Sequence, residues 1–281
     1  MKPVPTGLSA CGEPVDVDAV IFDIYGTLLI SSAGEPVTGV GRNKTAALVS
    51  AMEEAGLSGN LPAAAEKGIQ KLIDAIESAH NESRKAGIDY PEINIRSTWS
   101  SIFCELARQG LLDRTPKNPE VDKAVVSFEC TLNPTWPMPG MNEIITSLHG
   151  RGKMLGVVSN AQFYTPIVFE ALSGANFKDL GFNPELMAFS WQHRAAKPST
   201  RLFDPILAEL DERGLDPRRV LYVGNDMLND IYAAMRCGFR TALFAGDKRS
   251  LRLRENNPNC VSIRPDMVIT SLCQLEDMIK K

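Results

Sequence analysis

The apolar residues of this chain follow two different rhythms. Near residue 20, and again beyond residue 150, they form short, largely apolar runs: Val17 to Phe22, Met154 to Val158, Leu186 to Phe189, Val220 to Val223, Thr241 to Phe244 and Met267 to Ile269. Runs of this length, rich in β-branched or aromatic residues and apolar on both faces, predict fully buried strands. Helical segments separate them, at Met141 to His149, Thr200 to Leu210, about Leu228 to Cys237 and Leu272 to Ile279. Strand and helix in alternation predict a parallel sheet covered on both faces.

Between these two regions the rhythm is purely helical. Leu48, Val49, Met52 and Ala55 share one face, closed by Gly56. Ile69, Leu72, Ile73 and Ile76 form a second stripe; Ile95, Trp99, Ile102, Phe103 and Leu106 a third, closed by Gly110; Val121, Val125 and Phe128 a fourth. Amphipathic helices with no strand between them predict a bundle-like module whose stripes form its own core. Ser31 to Pro36 and the proline-rich Asn133 to Gly140 read as the linkers into and out of it. The expected fold is therefore α/β, with a Rossmann-like parallel-sheet core from residues 1–32 and 133–281. An all-helical module, residues 33–132, is inserted after the first strand. Residues 1 to about 14, rich in Pro and Gly, read as a loose leader.

Composition narrows the function classes. Hydrophobic residues make up 44% and charged residues 23% of the 281, ordinary for a soluble globular chain. A net charge of −4 argues against nucleic acid as a partner. The basic run Lys248 to Arg254 reads as a solvated surface segment. Six scattered cysteines, with no metal-ligand spacing, read as reduced and mostly buried. No run is long and apolar enough for a membrane helix, and no apolar signal-peptide region precedes Asp18, so a cytoplasmic location is expected.

Candidate chemistry collects at strand ends, where open α/β sheets bind their ligands. Asp23 ends the first strand and is followed by Tyr25, Gly26 and Thr27; on its own the pattern would make only a turn. Ser159 and Asn160 end a second strand, where a hydroxyl can donate to a substrate anion or cap the next helix. Lys197-Pro198 offers an ammonium that can offset carboxylate repulsion and bind an anion, though most lysines are solvated. Val220 to Gly224 leads into Asn225, Asp226 and, one helical turn on, Asp230. One of these acids suffices as a helix cap; two converging on Asp23 would repel unless a cation lay among them. Mg²⁺, which takes oxygen ligands, is the natural candidate.

In this order, Asp23-Ile24-Tyr25-Gly26-Thr27-Leu28, Ser159, Lys197-Pro198 and Gly224 to Asp230 resemble the four motifs of the haloacid dehalogenase (HAD) superfamily. The resemblance covers the chain from about residue 17 onward. It implies a helical cap inserted after the first motif, a small-molecule substrate, and attack by the Asp23 carboxylate to give a covalent intermediate that water hydrolyses. Lys197 would bind the anion and Tyr25 would take the acid/base position. Thr27, Ser159 and Asn160 would contact substrate. Asp23, the Tyr25 backbone carbonyl, Asp226 and Asp230 would hold Mg²⁺.

Two departures pull apart the possible activities. HAD phosphatases carry an Asp where this chain has Tyr25, and a phenol is a poor base at neutral pH. Tyrosine here is typical of 2-haloacid dehalogenases, which attack carbon and need no metal. Against that, Asp226 and Asp230 are acidic where a dehalogenase would carry neutral groups, and no arginine lies between Asn43 and Ser83, early in the cap. The sequence therefore ranks a Mg²⁺-dependent phosphatase of small metabolites first and a 2-haloacid dehalogenase second. A HAD-fold binding protein with weak turnover comes third. Oligomeric state is not legible.

Overall fold

A computed structural model describes residues 1–31 and 44–280. Its chain divides into two compact units: Met1–Ser31, Trp136–Ala161 and Thr165–Lys281 in the first, Ser32–Thr135 and Gln162–Tyr164 in the second. Most of the expected Ser31 to Pro36 linker lies outside the described residues.

The first unit is an α/β sheet unit. Among the described residues its strands are β1 (Cys11–Gly12), β2 (Ala19–Phe22), β3 (Leu29–Ser31), β4 (Thr135–Pro137), β5 (Met154–Ser159), β6 (Phe182–Phe189), β7 (Val220–Gly224), β8 (Arg240–Phe244) and β9 (Met267–Ile269), the first residue of β4 falling to the second unit. Seven of them form one sheet in the order β1-β9-β8-β7-β2-β5-β6. Every pairing is parallel except β1 with β9. Strand β2 is central and wholly buried, with Phe22 level with Val157 on one side and Val223 on the other. The order reverses at β2, so the ends of β2 and β7 flank the topological switch point where such sheets bind ligands.

The sheet departs from expectation at its margins. The leader contributes β1, whose backbone closes the edge at β9, and the return linker contributes β4, which pairs with β3. Both are too short and too rich in Gly or Pro to carry a strand pattern of their own. The expected helix from Thr200 begins instead as a tight turn, Thr200–Leu202, capped by Ser199, and becomes α-helical at Asp204–Glu212. Of the six cysteines only Cys237 and Cys260 are buried, whereas Cys11, Cys130 and Cys273 are exposed, because these three lie on edges and outer helix faces.

The second unit holds helices α1 (Lys44–Glu54), α2 (Leu61–Lys85), α3 (Ile95–Arg108) and α4 (Asn118–Leu132). Trp99 centres its core, stacked on Phe103 at 5.2 Å and edge-on to Phe128 at 5.7 Å. The stripe on α2 is not the expected one. Leu61, Ala64, Ala65, Gly68 and Leu72 are buried, while Ile73 is exposed. Small residues on that face let α2 come close to its neighbours, and close packing of backbone outweighs the larger apolar side chains. Gln162 also belongs here: its amide accepts from Ile95 N–H at 3.1 Å and donates to the Ile93 carbonyl at 2.9 Å, holding the start of α3.

Glu129 on α4 is buried in this unit, its carboxylate receiving one long hydrogen bond from Tyr164 at 3.4 Å. Burial pushes its carboxyl up from about 4.5 to about 7. Between those values the folded chain keeps a proton that the unfolded chain has released, so stability falls as pH rises through the window. Glu129→Gln removes that dependence. Chemical denaturation at pH 5 and pH 8 is expected to show the variant gaining on the native chain at the higher pH, by on the order of 3 kcal/mol. Equal pH slopes for the two proteins would contradict this.

Candidate active site

The end of β2 places Asp23 in the switch-point crevice, its N–H donating to the Val223 carbonyl at 2.9 Å. The chain turns at once through Gly26, which has a φ of +89°. A Cβ there would meet the Asn225 amide and the Ser250 Cβ at 2.7 Å, so only glycine lets the first turn lie against the loops after β7 and β8. Thr27 is buried behind it and donates to Asn225 Oδ1 at 3.1 Å. Asn225 Nδ2 in turn donates to the Ser250 carbonyl at 2.6 Å.

Lys197 comes to the same point from the loop after β6. Its ammonium lies 2.7 Å from Asp23 Oδ1, 2.6 Å from Asp230 Oδ1, 2.7 Å from the Tyr222 hydroxyl and 3.0 Å from the Val158 carbonyl. An ammonium has three protons. The Tyr222 hydroxyl donates to Val158 at 2.7 Å, which frees all three for Asp23, Asp230 and Tyr222. The network is satisfied without remainder. Burial opposes the charge on Lys197, but the adjoining Asp23 and Asp230 carboxylates outweigh it and hold the ammonium above the usual lysine range. Burial first, and the negative charges second, keep Tyr222 a neutral phenol. The Asp230 carboxyl is raised by burial, with Lys197 pulling against the rise.

Asp230 reaches this position because residue 224 has no side chain. A Cβ on Gly224 would fall 2.4 Å from the Asp230 carboxyl carbon. The helix that carries it opens with a wide turn, Met227–Tyr232, before an α-helical turn at Ala233–Arg236. Asn160 fixes Lys197 from the other side: its Oδ1 accepts from Lys197 N–H at 2.7 Å and its Nδ2 donates to the Lys197 carbonyl at 3.1 Å. Both ends of that amide, expected to meet substrate, are spent on positioning the lysine. Ser159 is buried at the end of β5 and its hydroxyl has no partner among the described residues. The Tyr25 hydroxyl lies 2.9 Å from Thr165 Oγ1, at the start of the next helix.

A family model of haloacid dehalogenase-like hydrolases matches residues 17–238. The chain belongs to this family. Two solved structures share the HAD fold: a 2-haloacid dehalogenase from Pseudomonas syringae (17% identity, TM-score 0.54, 93% of this chain and 97% of that one) and a HAD phosphatase from Thermococcus onnurineus (18%, 0.50, 93% and 97%). Among curated proteins, none matches. Among the described residues no helix is long and apolar enough to cross a membrane.

The expected meeting of Asp23, Asp226 and Asp230 around one cation is only half realised. Asp23 and Asp230 meet, but across the ammonium of Lys197. Asp226 is engaged elsewhere: Oδ1 accepts from the N–H groups of Leu228 at 2.8 Å and Asn229 at 3.2 Å, and Oδ2 from Arg254 at 2.7 Å and Asn229 Nδ2 at 3.3 Å. The acid that motif spacing offered to a metal is a helix cap bound to an arginine. Among the described residues no group of three His, Cys, Asp or Glu side chains is arranged to hold a metal. These side chains, as placed, do not fit Mg²⁺.

Because Lys197 is the common partner of two buried carboxylates, Lys197→Met leaves both uncompensated. Urea unfolding at pH 7 is expected to show a loss of about 3–5 kcal/mol. The loss shrinks at pH 5, where one of the facing carboxyls takes up a proton. A variant as stable as the native chain at both pH values would contradict the network described.

Proposed function

We propose that this HAD-like hydrolase works without a metal and forms an ester on Asp23 by attacking carbon, as a 2-haloacid dehalogenase does. The observation that carries the proposal is the engagement of Asp226 by Arg254 and two helix amides, which takes away the acid a phosphatase metal site would need. Tyr25 supports it, since a phenol is a poor base at neutral pH where phosphatases use a carboxylate as acid and base. This reverses the order favoured by sequence alone.

On this reading Lys197 binds Asp23 Oδ1 and aims Oδ2 at the substrate carbon. The new C–O bond forms as the C–halogen bond breaks and the halide leaves with its electron pair. Ser159, with an uncommitted hydroxyl, donates to the substrate carboxylate. Water then attacks the ester carbonyl carbon; as the acyl C–O bond breaks, one water proton goes to the departing alkoxide oxygen and the other passes out through the Lys197–Asp230 pair. Asp23 is restored and a 2-hydroxy acid is released. The net change is one water consumed, with one halide and one proton released.

Halide release from 2-chloropropionate is expected to persist in excess chelator and to fall at least about a thousandfold in Asp23→Asn, the range seen when a catalytic group is removed. Phosphate release from an aryl phosphate that requires added Mg²⁺, with no halide release, would reinstate the phosphatase. Binding of small anions with no turnover of either class would favour the binding-protein reading.

A further inference from the structure

The basic run after β8 is solvated at its ends, Lys248 and Arg254, and anchored between them. Arg249 binds both oxygens of the buried Asp247, at 3.0 and 3.1 Å from Nε, and Asp247 Oδ1 also accepts from Val4 N–H at 3.1 Å. From this root the chain runs alongside the turn after β7. Met227 N–H donates to the Arg252 carbonyl at 2.8 Å and Arg252 N–H to the Asn225 carbonyl at 3.0 Å. Arg254 follows in a left-handed conformation, φ +54°, which few residues other than glycine adopt. Its guanidinium meets the Asp226 carboxylate in a two-pronged contact, Nη2 at 2.7 Å from Oδ2 and Nε at 3.2 Å from each oxygen.

We propose that Arg254 is a positioning residue, the built-in counter-ion of Asp226, and that it keeps a divalent cation from binding beside Asp23 and Asp230. Asp226 is rooted at that cluster, its own N–H donating to Asp230 Oδ2 at 2.9 Å. Among the described residues the carboxylates of Asp23, Asp226 and Asp230 pair with two positive charges, the buried Lys197 and the half-exposed Arg254, leaving one net negative charge. Without Arg254 the deficit is two, the charge a divalent cation carries, and the Oδ2 that Arg254 held keeps only the long contact from Asn229 Nδ2 at 3.3 Å, which leaves it a lone pair for an oxygen-seeking cation. Arginine suits this task because its planar fork matches a carboxylate with two parallel hydrogen bonds and never gives up its proton. The inference rests on the metal-free reading proposed above and deepens it, through the same placement of Asp226 and Arg254.

Calorimetric titration of the full chain with Mn²⁺ or Mg²⁺, with thermal unfolding at each metal concentration, tests it. The native chain is expected to bind neither ion in the millimolar range. Arg254→Gln should bind Mn²⁺ at least tenfold more tightly, with melting that rises with metal. Arg254→Gln combined with Asp226→Asn should return to native behaviour. The Gln variant keeps the amide cap on Asp226; should it fail to fold, Arg254→Lys, which keeps the charge without the fork, should show a smaller gain in the same direction. Tight binding by the native chain that Arg254→Gln leaves unchanged, or a gain that survives Asp226→Asn, would overturn the proposal. Neither result depends on halide or phosphate release, so failure here is separable from failure of the activity proposed above.

Discussion

A buried ammonium with oxygens on four sides governs this molecule. Lys197 could not stay charged in the interior unless carboxylates surrounded it, and Asp23 and Asp230 could not lie so near each other without it. Each group is affordable only because the others are present. The consequence is geometric as well as energetic: with one oxygen of Asp23 held by the lysine, the other has a defined direction. A nucleophile needs that orientation before it needs any further activation.

The sheet makes this meeting possible by bringing distant segments of sequence to one edge. Strands β2, β5 and β7 run side by side in the same direction, so their carboxyl ends deliver Asp23, Ser159 and Gly224 to one rim. Lys197 enters from the loop after β6 and is held by the amide of Asn160. Two glycines make the space: Gly26 lets the first turn touch Asn225, and Gly224 lets Asp230 fold back beneath the strand. The loop after β8 closes the arrangement from outside through Ser250 and Arg254.

Much of this was legible in the residues themselves. Buried parallel strands announce themselves as short apolar runs, and all six expected ones are present. Asp23 and Asp230 could be singled out because a charge at the end of an apolar strand, or at fixed spacing beyond a glycine, has few structural uses; Lys197 stood out only through the resemblance of Lys197-Pro198 to the family's third motif. Features set by neighbours were not legible. Strand β1 exists because β9 offers an edge, and the buried face of α2 follows from how closely a neighbouring helix can approach. Asp226 is the instructive case. Its spacing from Asp230 suits a metal ligand and a helix cap equally, and the choice lies with Arg254, 28 residues further on, at no spacing that a motif encodes. The run Lys248 to Arg254 carried the only available sign, a cluster of basic residues in an acidic chain.

Asp23 is the proposed oxygen donor to the product, and isotope tracing reads that role directly. A single turnover of 2-chloropropionate in heavy-oxygen water, with enzyme in excess, should place the heavy atom in the Asp23 carboxylate and leave the hydroxy acid with ordinary oxygen. Peptide mass spectrometry locates it. Heavy oxygen in the product with none in Asp23 would mean that water attacks the substrate itself, and the covalent route would be wrong.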